Sequence, residues 1–269
     1  MESNNLLRDV REVPKDKKLI VFDLDGTLTE SKADMGQEMS SLLARLLKTK
    51  KIAVIGGGKY NLFKVQLLDK LSIPAGSMEN LFLFPMTATA FYKYGGSGWL
   101  EIYNQELTRE EKERVFSAFE KTFSELGYKH PDKIYGDLIE ARGAEITFSA
   151  LGQDAPLELK EKWNKDNPEI RSKMEELLQK LLPDMEVKIA GLTSIDVTRK
   201  GIDKGYGIQQ IKKCLNVSLD DMLFVGDAFF KEGNDEAALN TGVLCFEVKG
   251  PEDTKRLIEY LIKQVPSSS

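Results

Sequence analysis

Asp23-Leu24-Asp25-Gly26-Thr27 follows directly on the apolar run Leu19–Phe22. Two carboxylates two positions apart at a strand end can both reach one pocket if the chain turns there, and Gly26 permits the turn. Beside a phosphate dianion such a pair needs a cation, and a hard, oxygen-preferring ion such as Mg2+ suits it. One carboxylate can then attack phosphorus while the other protonates the leaving oxygen and later activates the acceptor. An Asp/Gly-rich turn without chemistry is the bland alternative for any D-x-D-G.

Three further stretches carry groups that this chemistry can use. Met222–Val225 runs into Gly226-Asp227, with Asn234-Asp235 shortly after. Asp227 is a candidate metal ligand, and Asn234 and Asp235 either ligate or orient water. Lys204, at the start of a helical pattern in GIDKGYGIQQI, supplies a cation that could neutralise a phosphorylated Asp23. Ile52–Ile55 ends in Gly56-Gly57-Gly58-Lys59, where exposed backbone N–H groups near a helix start can cradle a phosphate. Taken singly, each of these is also an ordinary turn or a surface lysine.

The elements that must position these groups are legible in outline. Leu19–Phe22, Ile52–Ile55, Leu81–Phe84, Met222–Val225 and Val243–Phe246 are continuous apolar runs. Such runs suit strands covered on both faces, as in a parallel sheet between helices. Ile208, Ile211 and Leu215 share one helical face, as do Leu257, Ile258 and Leu261 after a helix start at Pro251. Catalytic loops are then expected at the carboxyl ends of the strands. The middle of the chain reads differently. Phe91–Tyr94 and Trp99–Tyr103 flank Gly95-Gly96-Ser97-Gly98 as a hairpin or linker. Thr108 and Glu111 form a capping box ahead of a helix whose apolar face is Val115, Phe116, Phe119, Phe123 and Leu126. Leu138–Leu151 reads as one or two strands, about 168–182 as a charged helix, and Met185–Ala190 as a strand. This order suggests an antiparallel sheet with helices on one side. The expected plan is therefore an α/β core from residues 1–87 and 191–269 around an inserted α+β domain, 88–190.

DLDGTLT is similar to the first motif of the haloacid dehalogenase superfamily in its phosphotransferase form. The resemblance implies a Rossmann-like parallel core with a large α/β cap, Asp23 as nucleophile, Asp25 as general acid/base and Lys204 as the third-motif lysine. Metal ligation by Asp23, Asp25 and Asp227 follows from the same resemblance. Within the superfamily the chain resembles the eukaryotic-type phosphomannomutases. DLDGTLTESK, KIAVIGGGKY, TSIDVTRKGIDKGYGI and GDAFFKEGND followed by GPEDTKRLIEYL carry that likeness. It implies sugar contacts from Ser194 and Asp196, and a substrate-binding set of Gly56, Gly57, Arg142, Ser194, Asp196 and Asn234. Departures accompany it. The superfamily usually has a Ser or Thr near Gly56, and this chain has glycine. In LIEARGAEITFSALGQD, Arg142 matches one cap arginine, whereas Tyr135 and Gln153 stand where two others are expected, and Lys32 replaces an arginine after the first motif. An arginine fork suits phosphate better than any of these replacements. Weaker retention of a second phosphate would make water the acceptor. The expected activity is thus phosphatase action on a sugar phosphate, with a true phosphomannomutase as alternative and a non-catalytic sugar-phosphate-binding module as the second.

Composition narrows the field. The chain has 269 residues, 41% hydrophobic and 30% charged, with net charge −5, which argues against a nucleic-acid surface as its main business. No apolar run approaches the roughly 20 residues of a membrane span, so neither nucleic acid nor membrane is an expected partner. The charged N-terminus is unlike a signal peptide and reads as a short leader before the first strand. Cys214 and Cys245 are too few for a disulfide framework and read as small core residues. A cytoplasmic compartment is the expectation, and the aromatic-rich cap could support a homodimer.

Overall fold

The computed structural model describes residues 5–31, 33–231 and 233–263. Lys32, one of the departures above, lies outside them. In chain order the strands are β1 (Leu6–Leu7), β2 (Leu19–Asp23), β3 (Lys51–Ile55), β4 (Leu81–Phe84), β5 (Ala90–Tyr94) and β6 (Trp99–Asn104). They continue with β7 (Ile139–Ala141), β8 (Glu145–Ser149), β9 (Met185–Ala190), β10 (Ser194–Arg199), β11 (Met222–Gly226) and β12 (Leu244–Glu247). The chain divides into two compact units, one formed by residues 1–104 with 202–269 and the other by 105–201.

The larger unit is built on one sheet of order β1-β12-β11-β2-β3-β4-β5-β6, parallel from β1 to β4, with β5 and β6 added antiparallel. Apart from Lys51 and Asp23 at strand ends, its central strands carry no polar side chain, because both faces are covered. Ile20, Phe22, Ile52 and Val54 pack in one cluster with Met39, Leu43 and Leu46 of the helix Gln37–Leu46 and with Leu257, Ile258 and Leu261 of the helix Pro251–Ile262. Leu19, Val21, Ala53 and Ile55 face the other way, against Ile208 and Ile211 of the helix Lys204–Leu215. Each fully buried side chain of this kind contributes about 1.5–3 kcal/mol. Such an arrangement holds the carboxyl ends of β2, β3 and β11 side by side.

The smaller unit is a four-stranded antiparallel sheet, β7-β8-β10-β9. Its strands alternate, as a sheet covered on one face must. Ile146, Phe148, Ile195 and Val197 pack with Val115, Phe119 and Phe123 of the helix Arg109–Leu126 and Met174 and Leu178 of the helix Ile170–Leu181. Glu145, Thr147, Ser194 and Asp196 occupy the alternate positions, off that core. The capping box is present: Thr108 N–H donates to Glu111 at 2.6 Å, and the Glu111 N–H donates to the Thr108 hydroxyl at 3.2 Å.

Three expectations are revised. The division falls at 104/105 and 201/202 rather than 87/88 and 190/191, because the β5–β6 hairpin extends the large sheet through β4, while β10 pairs with β8 and β9. The N-terminal stretch is not merely a leader. Leu6-Leu7 pairs with β12, and the Asn5 side chain donates to Val243 O at 2.8 Å and Leu239 O at 3.1 Å. Two residues are too few to show a strand period. Ser194–Arg199, read only for its polar residues, is a strand whose inward members are Ile195 and Val197.

Arg199 adds a second role for the capping glutamate. Its guanidinium donates to Glu111 at 2.6 Å and 2.8 Å, and holds that carboxyl down to about 2. Glu111→Ala should cost about 1–2 kcal/mol at neutral pH, allowing for solvent screening. A depressed carboxyl stabilises above its unfolded range near 4 and loses that contribution as pH falls toward 2. Urea unfolding of wild type and variant at pH 7 and pH 3 should therefore show the difference shrinking at the acid end.

Candidate active site

Asp23 closes β2 and is 3% exposed. Lys204 opens the helix Lys204–Leu215, which starts at Asp203, whose carboxylate accepts from Tyr206 N–H at 2.8 Å. The Lys204 side chain is also buried, and its ammonium donates to Asp23 and lies 3.1 Å from Asp235 Oδ1. Asp235 is fully buried. Its other oxygen accepts the N–H groups of Asp227 at 3.1 Å and Ala228 at 3.0 Å, which fixes the turn after β11. Thr27 Oγ1 is 3.3 Å from Asp227 Oδ1. A side chain at Gly26 would collide with that carboxylate, since its Cβ would sit 2.5 Å from Asp227 Oδ2, and φ there is +77°. The turn after the first motif thus needs glycine on two counts.

Asp23, Asp227 and Asp235 each offer an oxygen within 4.8 Å of the others. Carboxylate oxygens at this spacing are the donor set of a hard divalent cation such as Mg2+. The sequence expectation named Asp25 as the partner of Asp23 and Asp227. Asp235 joins Asp23 and Asp227 in this group, and Asp25 bridges to Thr29 across the tight turn. Burial pushes Asp23 up to about 6, aided by the Asp235 charge and opposed by Lys204. Burial also raises Asp227. Burial would lower Lys204, but its two carboxylate partners outweigh it and hold the ammonium charged.

Gly56-Gly57-Gly58 follows β3, beside the end of β2. Gly56 is buried and its N–H donates to Phe84 O at 3.4 Å, whereas Gly57 is exposed. The loop is held by an unusual turn after β4. Met86, Thr87 and Ala88 all have left-handed backbone, with φ of 50°, 53° and 62°. Met86 N–H donates to Gly58 O and Thr87 N–H to Gly56 O, both at 2.9 Å. Left-handed backbone costs an L-residue roughly 1–2 kcal/mol, most for β-branched ones. No period in the sequence announces such a turn.

The remaining expected residues are dispersed. Asn234 is exposed beside buried Asp235. Arg142, Ser194 and Asp196 belong to the smaller unit. Arg142 donates to Glu140 at 2.9 Å and to Gln153 at 2.6 Å, and approaches Glu145 at 3.8 Å. Gln153, where an arginine was expected, is thus a partner of Arg142. Asp196 faces Thr147 across the sheet, and its Oδ1 is buried without a hydrogen bond. Burial and the neighbouring Asp196 push Glu145 up to about 7.

This architecture and acid set define an enzyme of the haloacid dehalogenase superfamily. A sequence model described as eukaryotic phosphomannomutase matches residues 39–264, and the chain belongs to that family. It is 29% identical over 265 residues to a phosphomannomutase of Encephalitozoon cuniculi, covering 93% of this chain and 95% of that protein. The phosphomannomutase of Saccharomyces cerevisiae is 27% identical over 253 residues, covering 92% and 95%. Among solved structures, an IMP-bound IMP-nucleotidase of Plasmodium falciparum has a TM-score of 0.65 at 16% identity, covering 94% of this chain and 70% of that one. Trehalose-6-phosphate phosphatase of Aspergillus fumigatus has a TM-score of 0.57 at 18% identity, covering 93% and 94%. The last two show the fold.

Two outcomes test these local readings. Thr87→Asn should stabilise the protein by about 1 kcal/mol in urea unfolding, because asparagine tolerates left-handed backbone; destabilisation would argue against strain at this turn. Glu145 has its folded pKa raised above the unfolded value near 4.5, so its charging opposes folding as pH rises from about 4.5 through about 7. Glu145→Gln should therefore leave stability unchanged at pH 5 and raise it by about 1–3 kcal/mol at pH 8.

Proposed function

We propose that this chain transfers a phosphoryl group from a hexose phosphate through Asp23. The reading is carried by one observation: a buried aspartate at a strand end, paired with a buried lysine and grouped with two more carboxylates. In the first step an Asp23 oxygen forms a bond to phosphorus as the ester P–O bond breaks, and Asp25 gives a proton to the leaving oxygen. In the second, Asp25 takes a proton from the acceptor hydroxyl, whose oxygen displaces Asp23. Lys204 keeps a cation against Asp23 throughout. Asp23, Asp25 and Asp227 would hold Mg2+, with Asp235 fixing Lys204 and the turn beside them, and the ion when bound would offset the charge of the phosphate and the carboxylates.

The acceptor favoured by family membership is a second hydroxyl of the sugar, as in interconversion of mannose 6-phosphate and mannose 1-phosphate. The relatives that support it match nearly end to end and are phosphomannomutases. Hydrolysis is the second reading, and Arg142 favours it. A clamp for a second phosphate needs an arginine fork with unsatisfied N–H groups, whereas Arg142 is engaged by Glu140 and Gln153. Ser194, Asp196 and Asn234 remain candidates for sugar hydroxyls.

Asp23→Asn should lower turnover at least about a thousandfold while the circular dichroism spectrum is kept. Beryllium fluoride with Mg2+ should be trapped by wild type and not by the variant. No trapping by wild type would favour a binding module. Mannose 1-phosphate offered with a hexose bisphosphate activator separates the two acceptors: conversion to the 6-phosphate supports the mutase, and stoichiometric release of inorganic phosphate supports the phosphatase.

A further inference from the structure

The acids sit at the carboxyl ends of β2 and β11. The opposite ends of the same strands carry a different chemistry. Lys18 precedes β2, Lys51 opens β3 and Asp221 precedes β11, and these three are joined by backbone: Lys18 N–H donates to Asp221 O at 2.9 Å and Lys51 N–H to Lys18 O at 3.1 Å. Around this seam lies a concavity of about 490 Å³ whose charged lining is Lys18, Lys48, Lys50, Lys51 and Asp221. Four lysines and one aspartate thus line it. A second depression shares Asn216, Val217 and Asp221 with it and adds Lys212 and Lys213.

This excess is not a property of the protein at large, whose net charge is −5. Nor is it dissolved by internal pairing. Among the described residues, Lys18 is the one lining lysine with a carboxylate ion-pair partner, Asp221 at 3.1 Å. The Lys50 ammonium, half-buried, is held by two carbonyls instead: Lys15 O at 2.8 Å and Lys17 O at 2.6 Å. Carbonyl dipoles fix its position without cancelling its charge, and burial lowers its affinity for the proton while Asp16 restores it only in part. Lys17, bonded to Asp220 O at 2.5 Å, ties the same segment down. A partly desolvated cation held by dipoles among further lysines is a site that an anion would complete.

We propose that this concavity binds a small polyvalent phosphate anion, at a site separate from the aspartate cluster. Ammonium groups serve phosphate as point charges, and the space matches a compact molecule carrying two or three phosphates. The two sites lie about 16 Å apart along the chain from Lys18 to Asp23, five residue steps of roughly 3.3 Å. Their charges are opposite, so in the absence of Mg2+ the acid cluster repels the anion that the lysines attract.

Inorganic tripolyphosphate titrated calorimetrically into the full chain, without Mg2+ and at fixed ionic strength, provides the test. Wild type should bind it saturably, and Asp23→Asn should bind it equally well. The pair Lys48→Glu and Lys51→Glu, both exposed, should weaken binding at least about tenfold with unchanged thermal stability. Lys121→Glu with Lys129→Glu, on the smaller unit, makes the same change in net charge and should weaken it less than twofold. Absence of binding by wild type, loss with Asp23→Asn, or equal weakening by the two charge-reversed pairs would overturn the proposal. The result is independent of whether the enzyme turns over a sugar phosphate.

Discussion

Everything at the acid end of the large sheet depends on burying one ammonium between two carboxylates. Moving each of Lys204, Asp23 and Asp235 out of water costs several kcal/mol, and only close geometry with further hydrogen bonds offsets that. The structure supplies both. Asp235 spends one oxygen on Lys204 and the other on two backbone amides, so the same residue that neutralises the lysine also shapes the turn presenting Asp227. Removing Lys204 would leave two buried carboxylates without their counterion. The trio carries one net negative charge, which suits a cation.

That constraint explains why the surroundings are so fully apolar. A short ion pair needs strand ends that do not shift, and β2, β3 and β11 are fixed by side chains buried on both faces. Ile20, Phe22 and Val54 act from one side and Val21, Ile55 and Phe224 from the other. The lysine enters from a helix whose own face, Ile208 and Ile211, is locked into the second cluster. Precision at the site is thus inherited from packing two or three residues away.

Much of this was legible in the sequence, for identifiable reasons. Continuous apolar runs exposed the central strands, and the acids at their ends followed by position. The capping box at Thr108 and Glu111 needed only spacing. The same logic missed what spacing does not encode. Asp235, expected only to ligate or orient water, is also the buried partner of Lys204, brought there by a turn after β11 that spacing alone does not show. Nor does spacing show that the Gly56 N–H closes onto Phe84 O. The left-handed run at Met86–Ala88 contradicts the preferences of its own residues, so only tertiary hydrogen bonds could announce it. Likeness alone put Arg142 forward as a phosphate ligand, while its engagement with Glu140 and Gln153 required the fold of the smaller sheet.

The strand order has a consequence for how the chain is made. β2 lies between β3, which follows it closely, and β11, which pairs Phe22 with Val225 from the far end of the sequence. A nascent chain that has emerged only as far as Asn104 contains β2 to β6 and no partner for the outer side of β2. Leu19–Phe22, among the most apolar segments of the protein, would stand as an open edge until about 120 further residues are synthesised, which at 5–20 residues per second is on the order of ten seconds. An edge of that kind invites pairing with other chains. Closure is also a contact of high sequence separation, which slows folding. The Asp23 end of β2 is therefore completed late, by β11, with β12 still to follow, and a chaperone that shields the β2 edge during synthesis would raise the yield of active enzyme more than its stability.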